Sequence, residues 1–387
     1  MKTEFDIVVI GAGPAGLNAA LRALGQTPAP SVLLLDKVVP WERPIACAEG
    51  VWYDPFKAAV TVRPEWIRNF ISKAVMHSPD GIALTYFDKD KGCIINRAKM
   101  QRELADLCVK GGAAVRLDCR VLSVSEEKDS CRELRLSDGS TVRGRVVVDA
   151  SGPISGFGRN EKISWKPMDL EPAYFAVVEN PGIDSDAIHV YLGREIAPGG
   201  YAWAFPRGNG AANVGIVIGK SFLGKVNLRT LLQNFLDRDF PRAKVLKYFS
   251  GSIPCEAGES TKSFGRLFKA GDAMSSINPI SRAGIVEALV SGGLAGEYGA
   301  RILAVRSKKQ AAAVYKEYHE AWRRVMGKAH CKLARVKGSL LKIPDGDYNK
   351  AFKSLKDIPL NRLMMSKIVT VSLGRFPRLV WSIRHLM

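Results

Sequence analysis

Residues 6–16 read Asp-Ile-Val-Val-Ile-Gly-Ala-Gly-Pro-Ala-Gly, an apolar β-branched run that breaks into Gly11-x-Gly13-x-x-Gly16. A strand that ends this way must turn sharply and feed a helix. Gly11 permits the turn, Gly13 lets backbone approach a pyrophosphate, and Gly16, just after Ala15, lets the helix pack close to the sheet with its N-terminus aimed at the phosphates. In a chain with 36 glycines the spacing alone is weak evidence, so the flanks decide. Leu17–Leu24 is helix-compatible, and Ser31-Val-Leu-Leu-Leu-Asp36 supplies a second buried strand ending in a carboxylate. Asp36 lies 20 residues past Gly16, where it can accept hydrogen bonds from ribose hydroxyls. The expectation is a dinucleotide site; the competing reading is a glycine-rich turn in another α/β protein.

The motif does not separate FAD from NAD, but later segments do. Val146-Val-Val-Asp149-Ala-Ser-Gly152 is a buried strand ending in a small-residue turn, and Phe268-Lys-Ala-Gly271-Asp272-Ala273 leads through Asn278-Pro279 to a helix opening at Gly284-Ile285. With Cys47-Ala-Glu-Gly-Val51, Asn96-Arg97 and Pro198-Gly-Gly-Tyr-Ala-Trp-Ala-Phe-Pro206, these segments resemble the FAD-dependent geranylgeranyl reductase family, within the aromatic-hydroxylase-type flavoproteins, over residues 5 to about 300. The Cys-Ala-Glu-Gly loop and the Pro-x-x-Tyr-x-Trp-x-Phe-Pro segment are the more selective pieces.

The resemblance implies FAD as cofactor and gives several residues roles. Asp272 would bond the ribityl chain, and the helix from Gly284 and Ile285 would point its N–H groups and about half a positive charge at the flavin. Cys47, Ala48 and Gly50 would contact the cofactor, and Val121, read as the end of a strand Ala114–Val121, its adenine end. Arg97 opens a helix, where a cation costs about 0.3–1 kcal/mol unless an anion compensates it; the FAD pyrophosphate is the anion the resemblance suggests, and a solvated surface arginine is the alternative. One departure stands out: the glycine-rich turn before Gly284 reads Ile280-Ser281-Arg282-Ala283, so a bulky cation fills a position the family gives to a small residue. Arg282 would point either to solvent or toward the flavin.

The expected fold is α/β (α+β): a Rossmann-like FAD-binding domain (1–72, 94–155 and 264–303), an inserted antiparallel β-sheet substrate domain (73–93 and 156–263) and a basic helical C-terminal region (304–387). The inserted strands are read at Ala173–Glu179, Ala187–Leu192, Gly200–Pro206 and Ala212–Ile218, with a helix at Leu228–Arg238 and a hairpin of Ala74–Ser78 and Ile82–Phe87. On a strand, Tyr201, Trp203 and Phe205 share one face. Spacing alone leaves open whether that row is core or the wall of a hydrocarbon cavity; the resemblance favours substrate. Saturating an isolated C=C needs a proton as well as a hydride, and Cys47 or a water beside it could supply it; a purely structural cysteine is the other reading.

Net charge is +19, and residues 301–387 hold 20 Lys/Arg against five Asp/Glu. Interleaved with Trp322, Leu363-Met-Met365 and Phe376–Leu386, this basic segment suits an anionic membrane surface, a solvated face being the alternative. Nucleic acid is not expected, since no recognition motif accompanies the charge. No segment reads as a signal peptide or a membrane span, and seven cysteines without metal-ligand spacing suggest a reduced cytoplasmic setting and no metal. The expected activity is reduction of a long-chain isoprenoid lipid or quinone at the inner membrane face. No second dinucleotide fingerprint is evident, so electrons would come from an external ferredoxin-like or NAD(P)H donor. A monooxygenase of an apolar substrate is the alternative; a halogenase would require a Trp-x-Trp-x-Ile-Pro signature that is absent, and a lipid-binding module would hold FAD only structurally.

Overall fold

The computed structural model describes residues 2–356 apart from 160, 162, 164–168, 257–261 and 342. The chain opens with β1 (Glu4–Ile10), α1 (Pro14–Leu24) and β2 (Val32–Leu35), then crosses to β3 (Gly50–Trp52), α2 (Tyr53–Ala59) and the long hairpin β4 (Ile67–His77) and β5 (Ala83–Ile95). Next come α3 (Arg97–Lys110), β6 (Ala114–Arg116) and the meander β7 (Val121–Val124), β8 (Arg132–Leu136) and β9 (Thr141–Asp149). A second run follows: β10 (Leu170–Glu179), β11 (Ala187–Tyr191), β12 (Tyr201–Gly208), β13 (Ala211–Val217), α4 (Leu228–Asp239) and β14 (Lys244–Pro254). The chain then returns through β15 (Ser263–Phe264) and β16 (Leu267–Lys269) to α5 (Ile285–Leu303), α6 (Lys308–Trp322), α7 (Lys328–Leu340) and α8 (Asp345–Leu355).

Among the described residues the strands form two eight-stranded sheets. The first runs β15-β16-β9-β1-β2-β6, with β7 and β8 added beside β9, and its central pairings are parallel. A parallel strand covered on both faces needs an unbroken apolar run. β1 is such a run: Ile7 and Val9 pack with α1 and α5, while Val8 and Ile10 pack with the meander. The second sheet runs β14-β10-β13-β12-β11-β4-β5-β3 and is antiparallel except where β11 meets β4. On β12, Ala202 and Ala204 lie under α4, while Trp203 faces the other side with Phe175 and Val217. The sequence pattern gave the alternation of that strand correctly.

Helices α1 and α5 approach so closely that a Cβ at Gly292 would lie 2.0 Å from the Ala15 carbonyl oxygen, and one at Gly296 2.1 Å from that of Ala19. Small residues four apart on both helices make this contact, which brings the N-termini of α1 and α5 to one side of the first sheet. The C-terminal helices then tie the sheets together. Tyr318 of α6 donates to the Lys269 carbonyl at 2.7 Å, and Phe352 of α8 packs on Leu84 of β5. No helix among the described residues is long and apolar enough to cross a membrane. The apolar-basic stretch at Leu363–Met365 and Phe376–Leu386, with Arg375, Arg378 and Arg384, lies outside the described residues.

Candidate active site

The glycine loop is shaped by the fold at two positions and left open at the third. Gly11 sits at φ +105, and a Cβ there would come within 2.3 Å of the Ala150 carbonyl oxygen. At Gly16 a Cβ would lie 1.8 Å from the Gly11 carbonyl oxygen. At Gly13 it would meet nothing within 4 Å, so the space before the N-terminus of α1 is free for a ligand. Helix α1 has no capping side chain and no acidic residue in its first turn, leaving its N–H groups and positive end for an anion. Ala15 is buried, and a Cβ on Gly271 would lie 2.8 Å from its own.

Asp36 closes the loop from the second strand. Its Oδ2 accepts from Ala12 N–H at 2.7 Å and its Oδ1 from Val38 N–H at 3.0 Å. Burial pushes its carboxyl above the ordinary range while these N–H groups pull it down. A carboxylate has about four acceptor positions, so lone pairs remain for a ribose. The next segment is tied to the same place, because Cys119 N–H donates to the Asp36 carbonyl at 2.8 Å. Val121 corrects the sequence reading: strand β6 ends at Arg116, and Val121 instead opens β7, buried beside Leu136. A polar turn around Asp118, itself at positive φ, breaks the run that looked continuous.

Arg97 is the first residue of α3, which Asn96 caps by accepting from Lys99 N–H at 3.2 Å. The Arg97 Nε donates to Gln101 at 2.9 Å, and Gln101 Nε2 donates to the Ala12 carbonyl at 3.3 Å. A cation is thereby tethered to the glycine loop, where the sequence argument wanted a compensating anion. Arg97 also acts electrostatically on Asp272. Burial drives the Asp272 carboxyl above its usual range, with Arg97 opposing. Asp272 stands in a 3-10 turn, Gly271–Met274, anchored to α5 by the Ser291 hydroxyl accepting from Gly271 N–H at 2.9 Å. Gly284 caps α5 without a side-chain bond, and Ile285 begins it. Glu287, in that first turn, went unnoticed in the sequence. Burial first, then Asp272, raise its pKa to about 7, and its Oε2 has no hydrogen-bond partner among the described residues.

The Cys47 loop lies against the aromatic strand. The Cys47 Sγ accepts from Glu49 N–H at 3.3 Å, and Asn213 Nδ2 donates to the Ala48 carbonyl at 2.9 Å. Glu49 takes a left-handed backbone, φ +64, and is buried. Its Oε2 accepts from Arg207 at 2.7 Å, with Arg68 at 3.7 Å, and its Oε1 from Arg97 N–H at 3.1 Å. Gly50 leaves room for Phe205, whose ring would meet a Cβ there at 3.1 Å. Trp203 is 5% exposed, its indole N–H has no partner among the described residues, and the Tyr201 hydroxyl donates to the Ser281 carbonyl at 2.5 Å. Glu49, Arg207 and Asn213 were missed as functional candidates. Glu49 stands inside the Cys-Ala-Glu-Gly motif, but its charge partners are far away in sequence.

Arg282 points neither to bulk solvent nor free into the site. Its Nε donates to Glu171 Oε2 at 2.8 Å and its Nη1 to the Ile280 carbonyl at 2.7 Å, while its guanidinium stacks 4.9 Å over the Tyr201 ring.

The open cradle at Gly13, the uncapped α1, Asp36 and the tethered Arg97 fit a dinucleotide cofactor. Residues 169–253 match the model of the geranylgeranyl reductase catalytic domain, and residues 6–165 that of the lycopene cyclase protein. A digeranylgeranylglycerophospholipid reductase 2 from Methanococcoides burtonii is 33% identical over 100% of this chain and 96% of its own length. Among solved structures, a geranylgeranyl bacteriochlorophyll reductase-like protein from Thermoplasma acidophilum aligns with TM-score 0.87 at 23% identity, covering 100% of both chains. The flavin-dependent halogenase CmlS aligns with TM-score 0.70 at 16% identity over 97% of this chain and 73% of its own. Matched over its whole length at 33% identity by such a relative, this chain belongs to the geranylgeranyl reductase family.

Proposed function

We propose that this protein is an FAD-dependent reductase that saturates C=C bonds of a polyprenyl lipid. The observation that carries the cofactor is the tether from Arg97 through Gln101 to Ala12 beside the open space at Gly13. The pyrophosphate would lie between that cation and the N-terminus of α1, the ribose on Asp36 and the ribityl chain by Asp272, with Gly284 and Ile285 presenting the N-terminus of α5. When bound and reduced, FAD supplies the hydride.

The chain's own residues supply the rest. The face carrying Phe175, Trp203 and Phe205 is apolar and suits a hydrocarbon, which offers no hydrogen-bonding handle. Reduction also requires a proton at the second alkene carbon, and in this reading Cys47 supplies it. Once the thiol proton leaves, the Glu49 N–H at 3.3 Å stabilises the sulfur's negative charge. Cys47 is only partly buried, so water can restore the proton. Glu49 keeps that N–H in position because Arg207, Arg68 and the first N–H of α3 all hold its carboxylate. Electrons enter from an external donor, and the basic C-terminal segment docks on an anionic membrane surface.

The test is anaerobic turnover of dithionite-reduced protein with a geranylgeranyl lipid, read by mass. A gain of about two mass units per double bond, with Cys47→Ala slowed but retaining FAD, supports the assignment. A gain of about sixteen in oxygen instead marks a hydroxylase. Wild-type turnover in Cys47→Ala removes the cysteine from the mechanism.

A further inference from the structure

Beside the Cys47 loop, a cleft of about 510 Å³ opens between α2 and β4, lined by Tyr53, Val62, Pro64, Ile67, Arg68 and Phe70. Its charge balance is incomplete. Arg68 and Arg207 both face one carboxylate, that of Glu49, and the closer partner is Arg207 at 2.7 Å. Arg68 stands off at 3.7 Å with its side chain 34% exposed to the cleft. Burial destabilises the Arg68 charge, Glu49 restores part of it and Arg207 opposes it, so its pKa falls below the ordinary arginine range. The Nε of Arg207, the other cation on Glu49, is buried with no hydrogen-bond partner among the described residues. An anion entering the cleft would complete the pairing.

The walls indicate what the anion carries. Tyr53 and Phe70, which line the cleft together with Arg68, meet edge to face at 5.3 Å. Phe70 is 42% exposed, and Trp52, next to Tyr53 in the chain, is 52% exposed. Aromatic rings around a cation suit a molecule with a charged head and an apolar body. Glu49, which Arg68 faces, follows Cys47 by two residues, at most about 7 Å of extended chain.

We propose that this cleft binds the phosphoryl headgroup of the lipid substrate, with Arg68 as its principal ligand. The lipid body of that ligand rests on the reductase reading above; the anion site does not.

The experiment titrates the FAD-loaded full-length protein with dihexanoylglycerol phosphate in a calorimeter. Saturable binding is expected, weakened about tenfold or more in Arg68→Ala, the scale of a lost charge-assisted bond, and partly restored in Arg68→Lys. Undiminished binding in Arg68→Ala overturns the site. Inorganic phosphate binding as tightly as the lipid overturns the headgroup assignment, leaving a free-phosphate site. In turnover, the preference for digeranylgeranylglyceryl phosphate over digeranylgeranylglycerol, taken as a ratio of kcat/KM values, should fall in the same variant, and a ratio that holds contradicts the proposal. Should wild type bind the short lipid through Arg68 yet reduce neither long one, the headgroup site stands and the reductase reading fails.

Discussion

A Cβ added at Gly16 would lie 1.8 Å from the Gly11 carbonyl oxygen, whereas one added at Gly13 meets nothing within 4 Å. The same substitution therefore has two different outcomes. Gly16→Ala forces backbone apart in the tightest contact of the βαβ unit and should cost about 3 kcal/mol or more. Gly13→Ala should fold with an apo melting temperature close to wild type but lose FAD on dialysis, because its methyl group enters the space assigned to the pyrophosphate. Flavin absorbance per mole of protein, with thermal melts of the apo forms, reads both. Full flavin content in Gly13→Ala would remove that glycine from the cofactor site. The roles of Gly11 and Gly16 were readable because both follow from local backbone sterics. Those of Glu49 and Arg207 were not, since their pairing depends on β12 and the Cys47 loop meeting across more than 150 residues.

Among the elements, those with a single clear period were legible: β1 and β2 as apolar runs, α3 with its asparagine cap, and β12 with its aromatic alternation. Strand β14 escaped because its sequence, Lys-Val-Leu-Lys-Tyr-Phe-Ser-Gly-Ser-Ile-Pro, is half exposed at the sheet edge and, among the described residues, paired only with β10. Polar and charged residues are what keep such an edge from aggregating. The hairpin of β4 and β5 extends beyond its expected ends because register shifts interrupt the alternation. That hairpin also brings His77 next to His189 of β11, Nε2 to Nδ1 at 3.0 Å, with His77 stacked on Tyr191. One ring must donate and the other accept, so the pair is stable only while it shares one proton. Burial, then His189, lower the His77 pKa to about 4, and burial lowers that of His189 against the pull of Asp184. An unfolded histidine protonates near 6.5. Between that value and about 4 the unfolded chain binds more protons, so stability is full above pH 6.5 and falls as the pH drops through this window. Solvent around the half-buried rings limits the loss to about 1–2 kcal/mol. Melts from pH 7 to 4.5 should show it, and His77→Phe should flatten the slope; an unaltered slope would place the acid sensitivity elsewhere.

Over the whole molecule, the buried Arg282–Glu171–Lys337 cluster joins the loop before α5, strand β10 of the second sheet and helix α7. Glu171 is 1% exposed at its side chain, with Arg282 on one oxygen at 2.8 Å and Lys337 Nζ 2.5 Å from the other. Lys337 also reaches Asp169 at 2.8 Å. Burial is the largest single effect and works against the Arg282 and Lys337 charges, but Glu171 together with Tyr201 and Cys255 at Arg282, and with Asp169 and Cys255 at Lys337, raises both pKa values. Arg282 holds a left-handed backbone at φ +58, a conformation that costs a non-glycine residue about 1–2 kcal/mol. Arg282→Gly relieves that strain but strips one partner from a buried carboxylate, which costs about 3–5 kcal/mol. The second effect is larger, so the variant should lose roughly 1–4 kcal/mol although the strain is gone. Glu171→Gln leaves two buried cations facing a neutral amide and should also be destabilised. In the double variant Lys337 still has Asp169, so its loss should fall short of the sum by about 1 kcal/mol or more. Urea unfolding of the four proteins closes this cycle. Strict additivity would show that Arg282 and Glu171 do not act together.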